Sequence, residues 1–260
     1  MTKGKFITFE GCERVGKTTQ LQRLKRYLEL SGQDGGFVFT KEPGGTPTAD
    51  KIRALILDKE NTSLTAKTEA LLYAASRAQH VEELILPALE SGRHVICDRY
   101  FDSSVAYQVY GRGLPYEYVR SINSYALENC SPDYTVFFDL HPDNAFNRRG
   151  AADRIELESA EFHRRVYEGF CELYGIEQCS THNARAKMEG RYAPMMEIAS
   201  SGVVLPRNDV PSTHSINHPS FSLPRCALSV EKKVFCVTPA APDETHKRIL
   251  DILRKLGVMR

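Results

Sequence analysis

The sequence predicts a three-layer α/β fold, a five-stranded parallel sheet flanked by helices, and three observations carry that expectation. Short β-prone runs alternate with long helical patterns along the chain, as in right-handed βαβ units. The β-prone runs carry apolar residues on both faces, as strands covered on each side do. The first of them leads through a glycine-bearing loop, GCERVGKTT (Gly11 to Thr19), directly into a helix.

Phe6, Ile7, Thr8 and Phe9 open the sheet. The loop after them fits G-x-x-x-x-G-K-[ST], with Gly11, Gly16, Lys17 and Thr18 in the required places. Leu21, Leu24 and Leu28 then share one helical face until Gly32 ends the pattern. Glycines let the backbone curl so that its N–H groups point inward, and the helix N-terminus adds partial positive charge. A nucleoside triphosphate is expected over Gly11, Cys12, Glu13, Arg14, Val15, Gly16, Lys17 and Thr18. Lys17 would reach the terminal phosphates and the Thr18 hydroxyl would ligate Mg²⁺. The strand–loop–helix context weighs against the competing reading, an ordinary glycine-bearing turn.

Further strands are expected at Phe37–Thr40, His94–Cys97, Tyr134–Leu140 and Val234–Thr238. Helices are expected over Ala49–Leu57, Thr65–Ser91 (broken or kinked near Pro87), Tyr116–Asn129, Glu158–Tyr174 and Asp243–Leu256. Ligands of such sheets sit beyond the C-terminal strand ends. The phosphate loop, the Lys41–Thr46 segment and Asp98 all fall there. From about Gly175 to Val230 the rhythm breaks into Ser, Pro, His and Asn, with a short helix expected only at Tyr192–Ile198. Residues 175–230 read as an insertion before the last strand of a single domain spanning 1–260, because they offer no coherent core of their own. Within them Cys179-x-x-His182, His214-x-x-x-His218 and Cys226 are metal-ligand types at partly zinc-like spacing. Scattered His and Cys in a polar loop explain them equally well, and a flap is the preferred reading.

Bulk properties narrow the function. The 34 Lys and Arg against 33 Asp and Glu leave a formal charge of +1, so nothing global attracts nucleic acid or an anionic membrane. Positive charge for phosphates must be local. No apolar run approaches a membrane span, and no signal-peptide pattern precedes the first strand. Seven cysteines are an odd number, and Cys97, Cys171 and Cys236 fall inside expected strands or helices. A reducing cytoplasm without a disulfide framework is expected.

Cys97-Asp98-Arg99-Tyr100 closes the third strand. An acid there can hold Mg²⁺ directly or through water, and the neighbouring arginine offers a planar donor fork to phosphoryl oxygens. Asn147-Arg148-Arg149-Gly150-Ala151-Ala152-Asp153-Arg154-Ile155-Glu156 precedes the Glu158–Tyr174 helix. It reads either as an arginine-bearing lid for phosphoryl transfer or as a solvated basic turn capped by Asp153.

Together these residues resemble the thymidylate kinases, which phosphorylate dTMP to dTDP with ATP. Phe9-Glu10-Gly11 through Thr19 is similar to the family's opening, and Lys41-Glu42-Pro43-Gly44-Gly45-Thr46 to its R-E-P-G-G-T segment, with Lys in place of Arg. Leu71-Leu72-Tyr73-Ala74-Ala75-Ser76-Arg77 resembles its L-L-F-x-A-x-R helix. Asp98-Arg99-Tyr100-Phe101-Asp102-Ser103-Ser104-Val105-Ala106-Tyr107-Gln108 is nearly continuous with the bacterial D-R-Y-x-D-S-S-x-A-Y-Q pattern. Residues 1–174 and 231–260 are covered, and the insertion has no counterpart in that pattern.

The resemblance implies a P-loop NTPase fold and a cytoplasmic homodimer packed through long helices, binding dTMP and ATP with Mg²⁺ on Thr18 and Asp98. It implies that Tyr73 stacks on thymine and Arg77 donates to a thymine carbonyl. Ser104 and Gln108 would complete the base edge, and Tyr107 would pack under the sugar. Glu13 would meet the 3′-hydroxyl, Arg53 and Arg99 the dTMP phosphate, with Lys41 and Glu42 beside them. Catalytic arginines are expected from the loop or the lid. Arg14 is the candidate for bridging the two nucleotides, with Arg149 and Arg148 assisting on closure, alongside Lys17, Asp98 and Arg99. Two other readings stay open: a deoxynucleoside kinase using Glu10 or Glu13 as base, and a non-catalytic nucleotide-binding regulator with the insertion as partner surface.

Overall fold

The computed structural model describes residues 3–145, 153–176, 197–198 and 233–260. Five parallel strands form the expected sheet: β1 (Phe6–Glu10), β2 (Phe37–Lys41), β3 (His94–Asp98), β4 (Tyr134–Phe138) and β6 (Lys233–Val237). Their order is β2-β3-β1-β4-β6, so β1 lies at the centre. A two-residue strand, β5 (Glu197–Ile198), pairs antiparallel with β6 and gives its open edge a partner. That pairing corrects the helix expected over Tyr192–Ile198 at its last two residues; residues 192–196 lie outside the described residues. The central strands are buried on both faces, whereas edge strand β2 is only half-buried.

Alternation along each strand sends side chains to two cores. Ile7, Phe9, Ile96, Val136 and Val234 face one. Phe6, Val95 and Cys97 face the other, with Val81, Ile85 and Tyr100. Between β1 and β4 the buried hydroxyls of Thr8 and Thr135 meet at 2.9 Å, each satisfying the other.

Helix α1 (Lys17–Leu30) buries Leu24 and Leu28. Thr46 caps α2 (Pro47–Leu57) and Thr65 caps α3 (Ala66–His80), and the two helices pack together. The long pattern through Ser91 is divided. A π-helical turn (Val81–Ile85) separates α3 from α4 (Leu86–Glu90) just ahead of Pro87. Proline has no N–H and crowds the carbonyl four residues back, and a wider turn relieves both.

Sequence periodicity missed α5 (Phe101–Ser104) and the π-helical segment Val105–Gly111 that continues it. Residues 103–109 are all buried, and a helix covered all round has no amphipathic period. The helix expected over Tyr116–Asn129 is two, α6 (Tyr116–Ile122) and α7 (Ser124–Asn129). At the break, the Asn123 amide donates to the Val119 carbonyl at 2.8 Å, competing with the helical ladder. Helix α8 (Pro142–Ala145) follows β4. Ser159 caps α9 (Ala160–Tyr174), and Gly175, at φ 62°, ends it. Helix α10 (Pro242–Lys255) closes the chain. Among the described residues no helix is long and apolar enough to cross a membrane. Their five cysteines are free, four of them buried.

Candidate active site

The parallel register brings the chemistry to one edge. Phe9 lies beside Asp98, and Asp98 beside Lys41, so the end of β1, the acid of β3 and the lysine of β2 form a row. Above it sits the start of α1. Helices α2, α3 and α9 each receive a capping side chain; α1 has none, and no acid in its first turn. Gly16, at φ 98°, makes the turn into it. Its first N–H groups and its dipole are thereby left to an anion.

Two non-glycine residues among those described hold left-handed backbone: Arg14 (φ 58°) and Arg99 (φ 73°). Each such placement costs about 1–3 kcal/mol, and each sets a guanidinium beside the loop. A cleft of about 620 Å³ opens between them, lined by Glu13 through Thr19, Lys41, Glu42, Arg53, Tyr73, Arg77, Asp98, Arg99, Ser104, Tyr107 and Gln108. Lys17, Arg99 and Tyr73 therefore share one cavity.

At the phosphate end, Lys17 Nζ donates to the carbonyls of Gly11 (3.0 Å) and Cys12 (2.9 Å). Burial, with the Arg99 charge adding to it, holds the ammonium below its ordinary pKa. Arg99 donates to the Gly11 carbonyl at 2.8 Å and to Glu13 at 2.8 Å. Glu13 also accepts from the Tyr107 hydroxyl at 3.0 Å, and the Arg99 guanidinium lies 5.1 Å from the centre of that ring. Burial pushes the Glu13 carboxyl up, but Arg99 and Lys17 outweigh it, and the net shift is below the carboxylate range. Arg14 pairs with Glu156 at 2.7 Å. Gly11 and Cys12 are not among the residues that line the cleft, and burial pushes the Cys12 thiol up to about 12.

At the other end, Arg77 is 2% exposed. Its Nε donates to Glu42 at 2.8 Å, Nη1 to Ser104 at 2.9 Å and to Asn123, and Nη2 to the Tyr100 carbonyl at 3.1 Å. Glu42 turns its carboxylate onto Arg77 and onto His80, whose Nδ1 lies 3.0 Å away. Gln108 donates its amide to Glu69. Tyr73 is half-buried, and burial keeps its phenol protonated well above the usual range. Arg53 donates to the Pro43 carbonyl at 2.8 Å, and the Glu42–Pro43 peptide is cis.

A divalent ion fits the groups present. Asp98 Oδ1 is a buried carboxylate oxygen without a partner among the described residues, and Thr18 lines the same cleft. Among those residues no three His, Cys, Asp or Glu side chains are grouped so as to hold a metal ion by themselves, and a magnesium that shares its ligands with phosphates needs no such group. Arg148 and Arg149 lie outside the described residues, as do Cys179, His182, His214, His218 and Cys226.

Sequence reasoning missed Glu156 as the partner of Arg14, and the cluster of Glu69, Arg112 and Arg154. The first stood in the lid motif without an assigned role. The second is spread over three distant segments, and no local pattern marks it.

Anion-binding groups at the start of α1, just after β3 and on α2, facing an aromatic, amide-lined pocket, make this a P-loop kinase that acts on a small phosphorylated substrate. The thymidylate kinase family model matches residues 9–190. A thymidylate kinase of Finegoldia magna is 51% identical over 176 residues, covering 66% of this chain and 86% of that protein. One of Oceanobacillus iheyensis is 43% identical over 205 residues, covering 76% and 90%. The crystal structure of thymidylate kinase from Ehrlichia chaffeensis superposes with a TM-score of 0.55 at 32% identity, over 66% of this chain and 82% of that one. The chain belongs to the thymidylate kinase family.

Proposed function

We propose that this protein transfers the γ-phosphoryl group of ATP to dTMP, giving dTDP and ADP. The observation that carries the reading is the single cleft holding Lys17, Arg99 and Tyr73. ATP phosphates would lie on the N–H groups of Gly11–Thr18, with Lys17 turning from the loop carbonyls to the terminal phosphates. The dTMP base would lie against Tyr73 with Arg77, Ser104 and Gln108 at its edge, its 3′-hydroxyl on Glu13 and its phosphate on Arg53 and Arg99. Mg²⁺ would be held by Thr18 and Asp98, where it neutralises phosphate charge.

Transfer needs no strong base, because the attacking phosphate oxygen is already anionic; positioning and charge neutralisation carry the rate. Arg14 would swing from Glu156 to bridge the two nucleotides, and Arg148 and Arg149 would assist on closure. Two carboxylates weigh against a deoxynucleoside kinase. Glu10 is buried and accepts from Tyr100 N at 2.7 Å and Ser103 Oγ at 2.6 Å. Glu13 is tied to Arg99 at 2.8 Å and Tyr107 at 3.0 Å, and the arginine and lysine charges around it lower its basicity. Retention of Lys17, Asp98 and Arg99 in one cleft weighs against a non-catalytic regulator. Leu55 on α2 and Leu71 on α3, each about half exposed, support a homodimer through these helices. We read residues 175–230 as an insertion and the cytoplasm as the site of action.

A coupled ADP-release assay across a panel of nucleoside monophosphates, with thymidine beside them, tests the function. Turnover strongest with dTMP is expected. Turnover of thymidine but not dTMP, or ATP binding without any dTDP, refutes it.

A further inference from the structure

The Glu69 carboxylate is 1% exposed and stands behind the cleft wall, which Gln108 lines and Glu69 does not. Its Oε1 accepts from Gln108 Nε2 at 3.4 Å and from Arg112 Nε at 3.1 Å. Its Oε2 accepts from Arg112 Nη2 at 2.9 Å and Arg154 Nη2 at 2.6 Å. Neither arginine is free to turn away. Arg112 also bridges to Glu158 at 2.6 Å and lies 4.6 Å from the centre of the Phe162 ring. Arg154 donates to the Ile56 carbonyl at 2.8 Å. The acid is thus pinned by two cations, and Oε1, shared with Arg112, also meets the Gln108 amide.

An ionised carboxylate only accepts hydrogen bonds, whereas a primary amide has a donating and an accepting end. Glu69 therefore dictates the sense of the Gln108 side chain: nitrogen toward the acid, oxygen toward the cleft. We infer that Glu69 is a positioning residue that selects the base through Gln108, favouring a pyrimidine with an N3–H over one whose N3 is an acceptor. The inference rests on the reading of this cleft as the dTMP site. Thymine and uracil donate from N3 and satisfy a cleft-facing amide oxygen. Cytosine sets a lone pair against it and leaves both groups unpaired away from water, a large penalty in a site built on hydrogen bonds. A packed apolar side chain at position 69 would fill the space, but it would leave the amide free to turn.

The test is kcat/KM for dTMP and for dCMP at saturating ATP and Mg²⁺, in the wild type, Glu69→Gln, Glu69→Asp, Gln108→Leu and the double variant Glu69→Gln/Gln108→Leu. A neutral amide at 69 accepts either orientation of Gln108, so the dTMP:dCMP ratio falls about tenfold or more in Glu69→Gln. On the Gln108→Leu background the same change leaves the ratio where it is. Glu69→Asp keeps a negative charge beside the two arginines but is one methylene shorter and no longer reaches Gln108, so its ratio falls too; it decides the matter if Glu69→Gln does not fold. An unchanged ratio in Glu69→Asp, an equal loss for both substrates, or the same effect without Gln108 overturns the inference. A wild type that does not phosphorylate dTMP is a separate result, which overturns the function and this inference together.

Discussion

Replacing Glu42 with alanine removes the one acid that pairs with Arg77 among the described residues. Both side chains are almost wholly enclosed, Glu42 at 3% and Arg77 at 2% exposure, and His80, the other partner, is at 0%. Removing one member of a buried ion pair costs about 3–5 kcal/mol, because the remaining charge stays out of water. Arg77 keeps its bonds to Ser104, Asn123 and the Tyr100 carbonyl, which places the expected loss at the lower end, about 3 kcal/mol. For a chain of this size that lowers the melting temperature by roughly 6–12 °C. Urea unfolding followed by circular dichroism gives the free energy, and a thermal scan gives the shift. Glu42→Gln retains an acceptor in the same place and is expected to lose about half as much. Because Arg77 stands in the cleft wall, the alanine variant is also expected to raise KM for dTMP more than it lowers kcat. A loss under about 1 kcal/mol with unchanged KM would refute the reasoning, since it would mean that Arg77 does not depend on this carboxylate.

Other expectations follow from single contacts. Arg14→Ala is expected to lower kcat about 10³-fold with little change in KM for dTMP; steady-state kinetics showing the reverse would remove Arg14 from the transfer step. Gly45 sits at φ 93°, and a Cβ there would come within 2.5 Å of Thr40 Oγ1 and 2.6 Å of His80 Nε2. Gly45→Ala should therefore destabilise by about 2–4 kcal/mol, and an unshifted urea midpoint would contradict this. Burial alone would raise the Glu69 carboxyl, but hydrogen bonds and charge from Arg112 and Arg154 leave it net below its ordinary 4.5. In the interval between the lowered value and 4.5 the unfolded chain binds the proton more readily. The stabilisation is present above 4.5 and is lost as pH falls through the lowered value. Glu69→Gln should flatten that part of the acid unfolding curve; an identical acid limb in the two proteins would exclude the contribution.

The phosphate loop was legible in the sequence because everything it needs is local. Strand, glycines, lysine and helix lie within Phe6–Leu30, and the Lys17 bonds to Gly11 and Cys12 stay inside the loop. The same holds for the parallel strands, whose apolar runs record burial in the sheet, on both faces for the central ones. Tyr73 and Arg77 were different. Periodicity alone favours a core face for Tyr73, and only the family pattern points it, with Arg77, into the cleft that both line.

Three things were decided only in three dimensions. Enclosure of residues 103–109 on all sides erased the periodicity that would have marked Val105–Gly111 as helical, although that segment carries Tyr107 and Gln108. Pairing with β6 made Glu197–Ile198 a strand, because an open sheet edge rewards any extended neighbour. The acid–arginine hub drew Glu69, Arg112 and Arg154 from three separate segments. Local sequence sets which backbone shapes and charges are available at each position. Which charge answers which is settled by exclusion of water, and only the packed chain determines where water is excluded.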